Sequence, residues 1–165
     1  SLFSNPSLTT PEPRLIMKTV LITGAGKGIG LATAEVLIRD GWRVILADRD
    51  EATLNTAIAK LNAGEQAVPL VVDVADVPDV KAKIAEVAER FGRFDALVNN
   101  AGIFRNEPFF DTTEETYDRL MAVNLRGAFF VMQAAAKEMK RFGNGGVMVN
   151  LASAAGGLGS GLILA

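Results

Sequence analysis

The sequence predicts an α/β domain, a doubly wound parallel sheet with helices on both faces. Three observations carry that prediction. Thr19–Gly30 reads as an apolar, β-prone run, Val20-Leu21-Ile22, that breaks into a glycine-rich turn and then opens an amphipathic stretch. Further β-prone and helix-periodic segments alternate along the chain, the pattern of parallel strands joined by right-handed crossovers. Each predicted strand also ends on an unusual residue. These are the glycines after the first, Asp48 after the second, Asp73 after the third, Asn100 after the fourth and Ser153 after the fifth. Ligands of such sheets sit beyond the carboxyl ends of the strands. Any one of these residues is unremarked alone; five in one crevice are hard to assign to chance.

The glycine turn reads Thr23-Gly24-Ala25-Gly26-Lys27-Gly28-Ile29-Gly30. Strand, glycine turn and helix together build a nucleotide site. Glycine lets the backbone approach a pyrophosphate, and a helix start offers free N–H groups at the positive end of its dipole. A phosphate loop of the Gly-Lys-Ser/Thr kind is excluded, because Lys27 is followed by Gly28. The dinucleotide fingerprint with glycines at its first, third and sixth places is excluded too, because Ile29 occupies the sixth. What remains is Gly24-x-x-x-Gly28-x-Gly30. An ordinary tight turn is the plain alternative, and its position after a buried strand favours a cofactor site.

The elements follow in order. Residues 1–16 carry Pro6, Pro11 and Pro13 and no periodicity, which predicts a disordered arm or leader ahead of a dinucleotide-binding domain over 17–165. The first helix spans Ile29–Arg39, with Ile29, Ala32, Val36 and Leu37 recurring at helical spacing. A second strand covers Arg43–Ala47, and a helix over about 51–62 puts Leu54, Ile58 and Leu61 on one face. Ala67–Val72 is the third strand. Asp76 to Phe91 is the third helix, with Val80, Ile84, Val87, Ala88 and Phe91 inward and Gly92 as its stop. Asp95–Val98, the fourth strand, leads into Asn99-Asn100-Ala101-Gly102. A capping-box pattern from Thr112 to Glu115 starts a long helix to about Arg141, whose stripe is Tyr117, Leu120, Met121, Asn124, Ala128, Val131, Ala135 and Met139. Asn124 interrupts this stripe, and a buried amide needs partners; bonding to backbone is its plain explanation. Phe129-Phe130-Val131-Met132 is apolar on nearly every side, which predicts a subunit interface through the helix at about 113–141. Gly145–Leu151 is the fifth strand, and Ala154–Ala165 reads as an active-site loop.

Bulk properties narrow the chemistry. At 165 residues the chain suits one domain with a substantial core. A net charge of −2 gives no electrostatic case for nucleic acid. The sequence has no cysteine and no histidine, so thiolate metal sites, disulfides and the commonest general base are all excluded, and no metal is expected. No apolar run reaches bilayer length, so no membrane partner is expected and a cytoplasmic setting is the default.

Taken together, the glycine turn, Asp73-Val74, Asn99-Asn100-Ala101-Gly102, Val123-Asn124 and Asn150-Leu151-Ala152-Ser153 resemble the short-chain dehydrogenase/reductase family in its compact form. The resemblance runs from about Lys18 to Ala165. It implies a Rossmann-like sheet of order 3-2-1-4-5, incomplete at its C-terminal side. It also implies that Gly24, Lys27, Gly28, Ile29 and Gly30 line the pyrophosphate and adenosine ribose. Asp73 and Val74 would border the adenine, with Asp73 accepting from its amino group. Asn100, Ala101 and Gly102 would lie along the cofactor's ribose side, with Val123 among the cofactor contacts, while Asn99 would tie strands together. Ser153 would donate to a substrate carbonyl or hydroxyl, and Asn124 would hold a water in a proton relay.

Asp48 bears on the choice of cofactor. A carboxylate at the end of the second strand accepts from both ribose hydroxyls and repels a 2′-phosphate, which favours NAD over NADP. Lys27 and Arg49 pull the other way, since either can pair with such a phosphate. The direct contact of Asp48 weighs more.

The family's Tyr-x-x-x-Lys pair has no counterpart here. The only tyrosine, Tyr117, is followed four places on by Met121. Positioned acid–base groups contribute about 10²–10⁴ in rate, so this chain is expected to be nearly inactive by itself. The leading reading is an NAD(P)-dependent oxidoreductase that moves a hydride between a nicotinamide cofactor and a small-molecule alcohol or carbonyl substrate. The alternatives are a non-catalytic dinucleotide-binding or regulatory module, and a half-domain completed by a partner chain. A homo-oligomer, dimer or tetramer, is expected, as is an exposed, association-prone fifth strand.

Overall fold

The computed structural model describes residues 17–153. The arm expected over 1–16 and the loop expected over Ala154–Ala165 lie outside the described residues. Strands and helices alternate as β1 Thr19–Thr23, α1 Gly28–Arg39, β2 Arg43–Asp48, α2 Glu51–Leu61, β3 Ala67–Val71, α3 Val77–Phe91 and β4 Ala96–Asn99. Then come α4 Glu114–Met121 and α5 Ala128–Phe142, joined by a π-helical turn at Ala122–Gly127, and β5 Val147–Asn150.

The sheet order among the described residues is β3-β2-β1-β4-β5 and every pair is parallel, as expected. Side chains alternate between its faces. On one face Val20, Ile22, Val44 and Leu46 pack with Ala34 of α1 and Leu54 and Ala57 of α2. On the other, Leu21, Ile45 and Leu97 meet Val80, Ile84 and Val87 of α3 and Val131 and Ala135 of α5. The helices change face between β1 and β4, where a crevice must open at the strand tips. Registers such as Thr23 with Ala47 and Asn99 with Asn150 bring those tips level along one edge.

Three expectations need correction. Ile29, Ala32 and Val36 of α1 are exposed, whereas Gly30 and Ala34 are buried and Leu31, Leu37 and Ile38 pack on the core. A Cβ on Gly30 would lie 2.4 Å from the Gly24 carbonyl oxygen, so only a side-chain-free position can face the turn. That contact fixes the helix's rotation against the pull of its apolar spacing.

The long helix is capped one residue later than expected. Thr113 Oγ1 accepts from the Thr116 N–H at 3.1 Å, and Thr112 instead donates to the Pro108 carbonyl, bracing a short 3₁₀ turn at Phe109–Asp111. The π turn between α4 and α5 then shifts the phase of the buried stripe, because its bonds run i to i+5 rather than i to i+4. Leu120, Val123, Val131, Ala135 and Met139 are buried, but Tyr117 and Met121 are exposed. β5 is the outer strand of the described sheet, with Val147, Met148 and Val149 all exposed.

Candidate functional site

The crevice at the strand tips is held by a network that begins at Thr23, the last residue of β1. Its buried hydroxyl accepts from the N–H groups of Asn100 (3.0 Å) and Ala101 (2.9 Å) and donates to Asn99 Oδ1. The Asn99 amide donates in turn to the Ala128 carbonyl and to Asn150 Oδ1, tying β4 to α5 and β5. Asn100 Nδ2 donates to the carbonyls of Thr23 and Gly24, which anchors the glycine turn to the tip of β4. Asn99 thus has the strand-tying role expected of it.

The turn leads into an unusual helix start. Lys27 occupies the N-cap of α1 without any side-chain capping bond, whereas Asp50, Asp76 and Thr113 cap α2, α3 and α4 through their side chains. The first N–H groups of a helix have no partner within it, so an uncapped start presents donors and a positive dipole end. A Cβ on Gly28 would meet nothing within 4 Å, so space lies open beside those donors.

Two carboxylates stand on the crevice wall, each anchored from two sides. Asp48 Oδ2 accepts from the Gly26 N–H at 3.0 Å and Oδ1 from the Asp50 N–H at 3.2 Å. Asp73 Oδ1 accepts from the Ala75 N–H at 2.9 Å, and Oδ2 pairs with the Arg119 guanidinium at 2.8 Å. Burial pushes the Asp73 carboxyl up, but the Arg119 bond, the Ala75 N–H and the charges of Arg119 and Arg49 outweigh it and hold it below the usual carboxylate range.

Gly24, Lys27, Asp48, Arg49, Asp73, Val74, Asn100, Ala101, Gly102 and Val123 all line one cavity, so ten of the sequence-derived positions converge. Gly28, Ile29 and Gly30 flank it from the α1 start without forming its wall. Asn124 lies behind the wall, where its amide pairs with both backbone groups of Ile103: Oδ1 accepts from the N–H at 2.8 Å and Nδ2 donates to the carbonyl at 2.7 Å. The awkward amide in the stripe is therefore satisfied by backbone. Ser153 lies past the end of β5, exposed and outside that lining. Sequence reasoning missed Thr53 and Arg119, which also line the cavity. Arg119 had a readable signal: it precedes Val123 by four residues, one helical turn along the same face.

A family model described as short chain dehydrogenase matches residues 18–164. The chain belongs to the short-chain dehydrogenase family. Among its family relatives, it is 42% identical over 150 residues to sorbitol dehydrogenase of Cereibacter sphaeroides, and 42% identical over 150 residues to galactitol 2-dehydrogenase of Agrobacterium fabrum. Each match covers 91% of this chain and 58% of the relative, so the chain spans a little under three-fifths of their length. Among solved structures it resembles NAD⁺-bound xylitol dehydrogenase, with a TM-score of 0.81 and 35% identity over 89% of this chain and 57% of that one. An actinorhodin polyketide ketoreductase with NADPH matches at a TM-score of 0.81 and 36% identity, over 87% and 56% of the two chains. The Rossmann-like sheet of this chain is thus shared by solved structures holding either nicotinamide dinucleotide. No helix among the described residues is long and apolar enough to cross a membrane.

Proposed function

We propose that the crevice binds NAD and that the chain serves an oxidoreductase which moves a hydride between the nicotinamide and an alcohol or carbonyl substrate. The observation carrying this reading is the uncapped start of α1, which adjoins a cavity walled by the doubly anchored Asp48. The residues present fit such a group. Gly24, Gly28, Ile29 and Gly30, with Lys27, hold the diphosphate against the α1 N–H groups. Asp48 keeps unused lone pairs after its two backbone bonds, enough to accept from ribose hydroxyls, and its charge opposes a 2′-phosphate. Lys27 and Arg49 temper that opposition, so the preference for NAD over NADP is graded rather than absolute. Asp73 and Val74 border the adenine, and Asn100, Ala101, Gly102 and Val123 shape the wall along the remainder of the cofactor.

When bound, the nicotinamide ring supplies or receives the hydride. Ser153 donates its hydroxyl hydrogen to the substrate oxygen, and Asn124, through its grip on Ile103, fixes the β4-side wall and serves the proton relay. The 165 residues contain no Tyr-x-x-x-Lys pair, so the chain by itself binds cofactor with little or no turnover. The sorbitol, galactitol and xylitol dehydrogenases among its relatives make sugar alcohols the first substrates to try. Tyr117, Met121, Leu125 and Phe129, exposed at four-residue spacing from α4 through the π turn into α5, support homo-oligomer formation. A cytoplasmic setting accords with this chemistry.

Titration calorimetry of the chain with NAD and with NADP tests the reading. Saturable binding with NAD the tighter ligand is expected; absence of binding, or a clear preference for NADP, refutes it. The exposed apolar residues of β5 favour a second reading, a half-domain completed by another chain, for which a stable hetero-complex without nucleotide binding is the signature.

A further inference from the structure

The segment that follows β3 is clasped by the helix across the crevice at separate points. Arg119 of α4 pairs with Asp73, Arg126 of the π turn donates to the Ala75 carbonyl at 3.4 Å, and Gly127 lies against Val74. A Cβ on Gly127 would stand 2.6 Å from the Val74 carbonyl oxygen, so backbone meets backbone there. Only the Arg119 contact falls on a side chain that lines the cavity, and Arg119 lines it as well.

We infer that Arg119 is a positioning residue for the purine base: it holds the Asp73 carboxylate as a fixed acceptor on the cavity wall, and so selects a base with an exocyclic amino group over one with an oxo group. This rests on the reading of the crevice as a dinucleotide site and deepens it. A carboxylate has about four acceptor positions, and Asp73 uses one on each oxygen, for Ala75 and for Arg119. Anchored from both sides, its plane is restrained, and the remaining lone pairs favour one direction. An ionised carboxylate only accepts, so it rewards the amino group of adenine and repels the oxo group of hypoxanthine. A free carboxylate on an exposed rotor loses part of that discrimination by turning away, because pre-organisation is what converts a contact into selectivity.

Equilibrium dialysis of the 165-residue chain with ADP, inosine 5′-diphosphate and inorganic pyrophosphate separates the possibilities. The wild type is expected to bind ADP about tenfold tighter than the inosine nucleotide, the ratio expected of one charged hydrogen bond. In Arg119→Met that ratio is expected to fall to about threefold or less, with Arg119→Lys between the two and pyrophosphate binding within about twofold of wild type. Asp73→Asn loses the preference likewise, and carries the comparison should Arg119→Met not fold. If Arg119→Met weakens both nucleotides equally and keeps their ratio, Arg119 is merely structural and the inference falls. If the wild type binds both nucleotides without preference, the inference falls while the dinucleotide site stands. If it binds neither nucleotide, the site itself is refuted, and this role with it.

Discussion

Replacing Thr23 by valine isolates the hydroxyl at the centre of the crevice, because the two side chains share shape but not polarity. The Thr23 oxygen, in a residue 1% exposed, serves two backbone N–H groups and the amide oxygen of Asn99, itself 5% exposed. Leaving a buried polar group unpartnered costs about 1–3 kcal/mol. Asn100 and Ala101 are only partly buried, so their N–H groups belong at the low end of that range, about 1 kcal/mol each. Adding the lost bond to Asn99, the expected total is about 2–3 kcal/mol, a large share of the 5–15 kcal/mol typical of a domain. Urea denaturation reads this directly: with a slope of about 2 kcal/mol/M, the midpoint moves down by about 1–1.5 M. Thr23→Ser keeps the hydroxyl and loses one methyl, costing about 1 kcal/mol. The reasoning is refuted if Thr23→Val unfolds within about 0.3 M of wild type, or if the serine variant falls as far as the valine.

Gly30→Ala drives a methyl to 2.4 Å from the Gly24 carbonyl oxygen and 2.7 Å from Asn100 Nδ2, so it is expected to cost at least about 1–3 kcal/mol and to weaken ADP binding sharply. Thermal melts with ADP titrations check both effects. Asp48→Asn removes the charge opposing a 2′-phosphate while Lys27 and Arg49 remain, so the NADP-to-NAD affinity ratio should rise by about tenfold or more; an unchanged ratio removes Asp48 from cofactor choice. At the opposite end of the sheet, burial pushes the Asp95 carboxyl up, but Arg93, the Thr19 N–H and Asn144 outweigh it and hold it below the usual 3.8. A carboxyl depressed by folding adds stability that is complete above its unfolded value and is withdrawn as pH falls through its folded one. Asp95→Asn is therefore expected to flatten the loss of stability as pH falls below the usual carboxylate range, measured by urea midpoints at successively lower pH.

Much of the architecture was legible because its causes are local. Val20-Leu21-Ile22 and Val44-Ile45-Leu46 are buried on both faces and read as continuous apolar runs, and α3 shows Val80, Ile84, Val87 and Ala88 at helical spacing. Asp48, Asp73 and Asn100 were readable as residues of the crevice because each lies at, or within two residues past, the end of a strand, and a parallel sheet brings all its strand ends to one edge. The sequence alone thus determined the α/β alternation, the glycine turn and the polar strand tips. Tertiary contact decided what local pattern could not. Ile29 and Val36 face solvent because Gly30 must meet the Gly24 carbonyl, although their spacing is as regular as any in the chain. Tyr117 and Met121 face out because a π turn, held by Asn124 on Ile103 and by Gly127 on Val74, resets the helix phase. Arg119 reaches Asp73 across 46 residues of sequence, and only the packing of α4 over the β3 tip brings the two charges together. Periodicity records which side chains are apolar along one element; the rotation of that element, and the partners of its polar groups, are set by close contacts with chain far away in sequence.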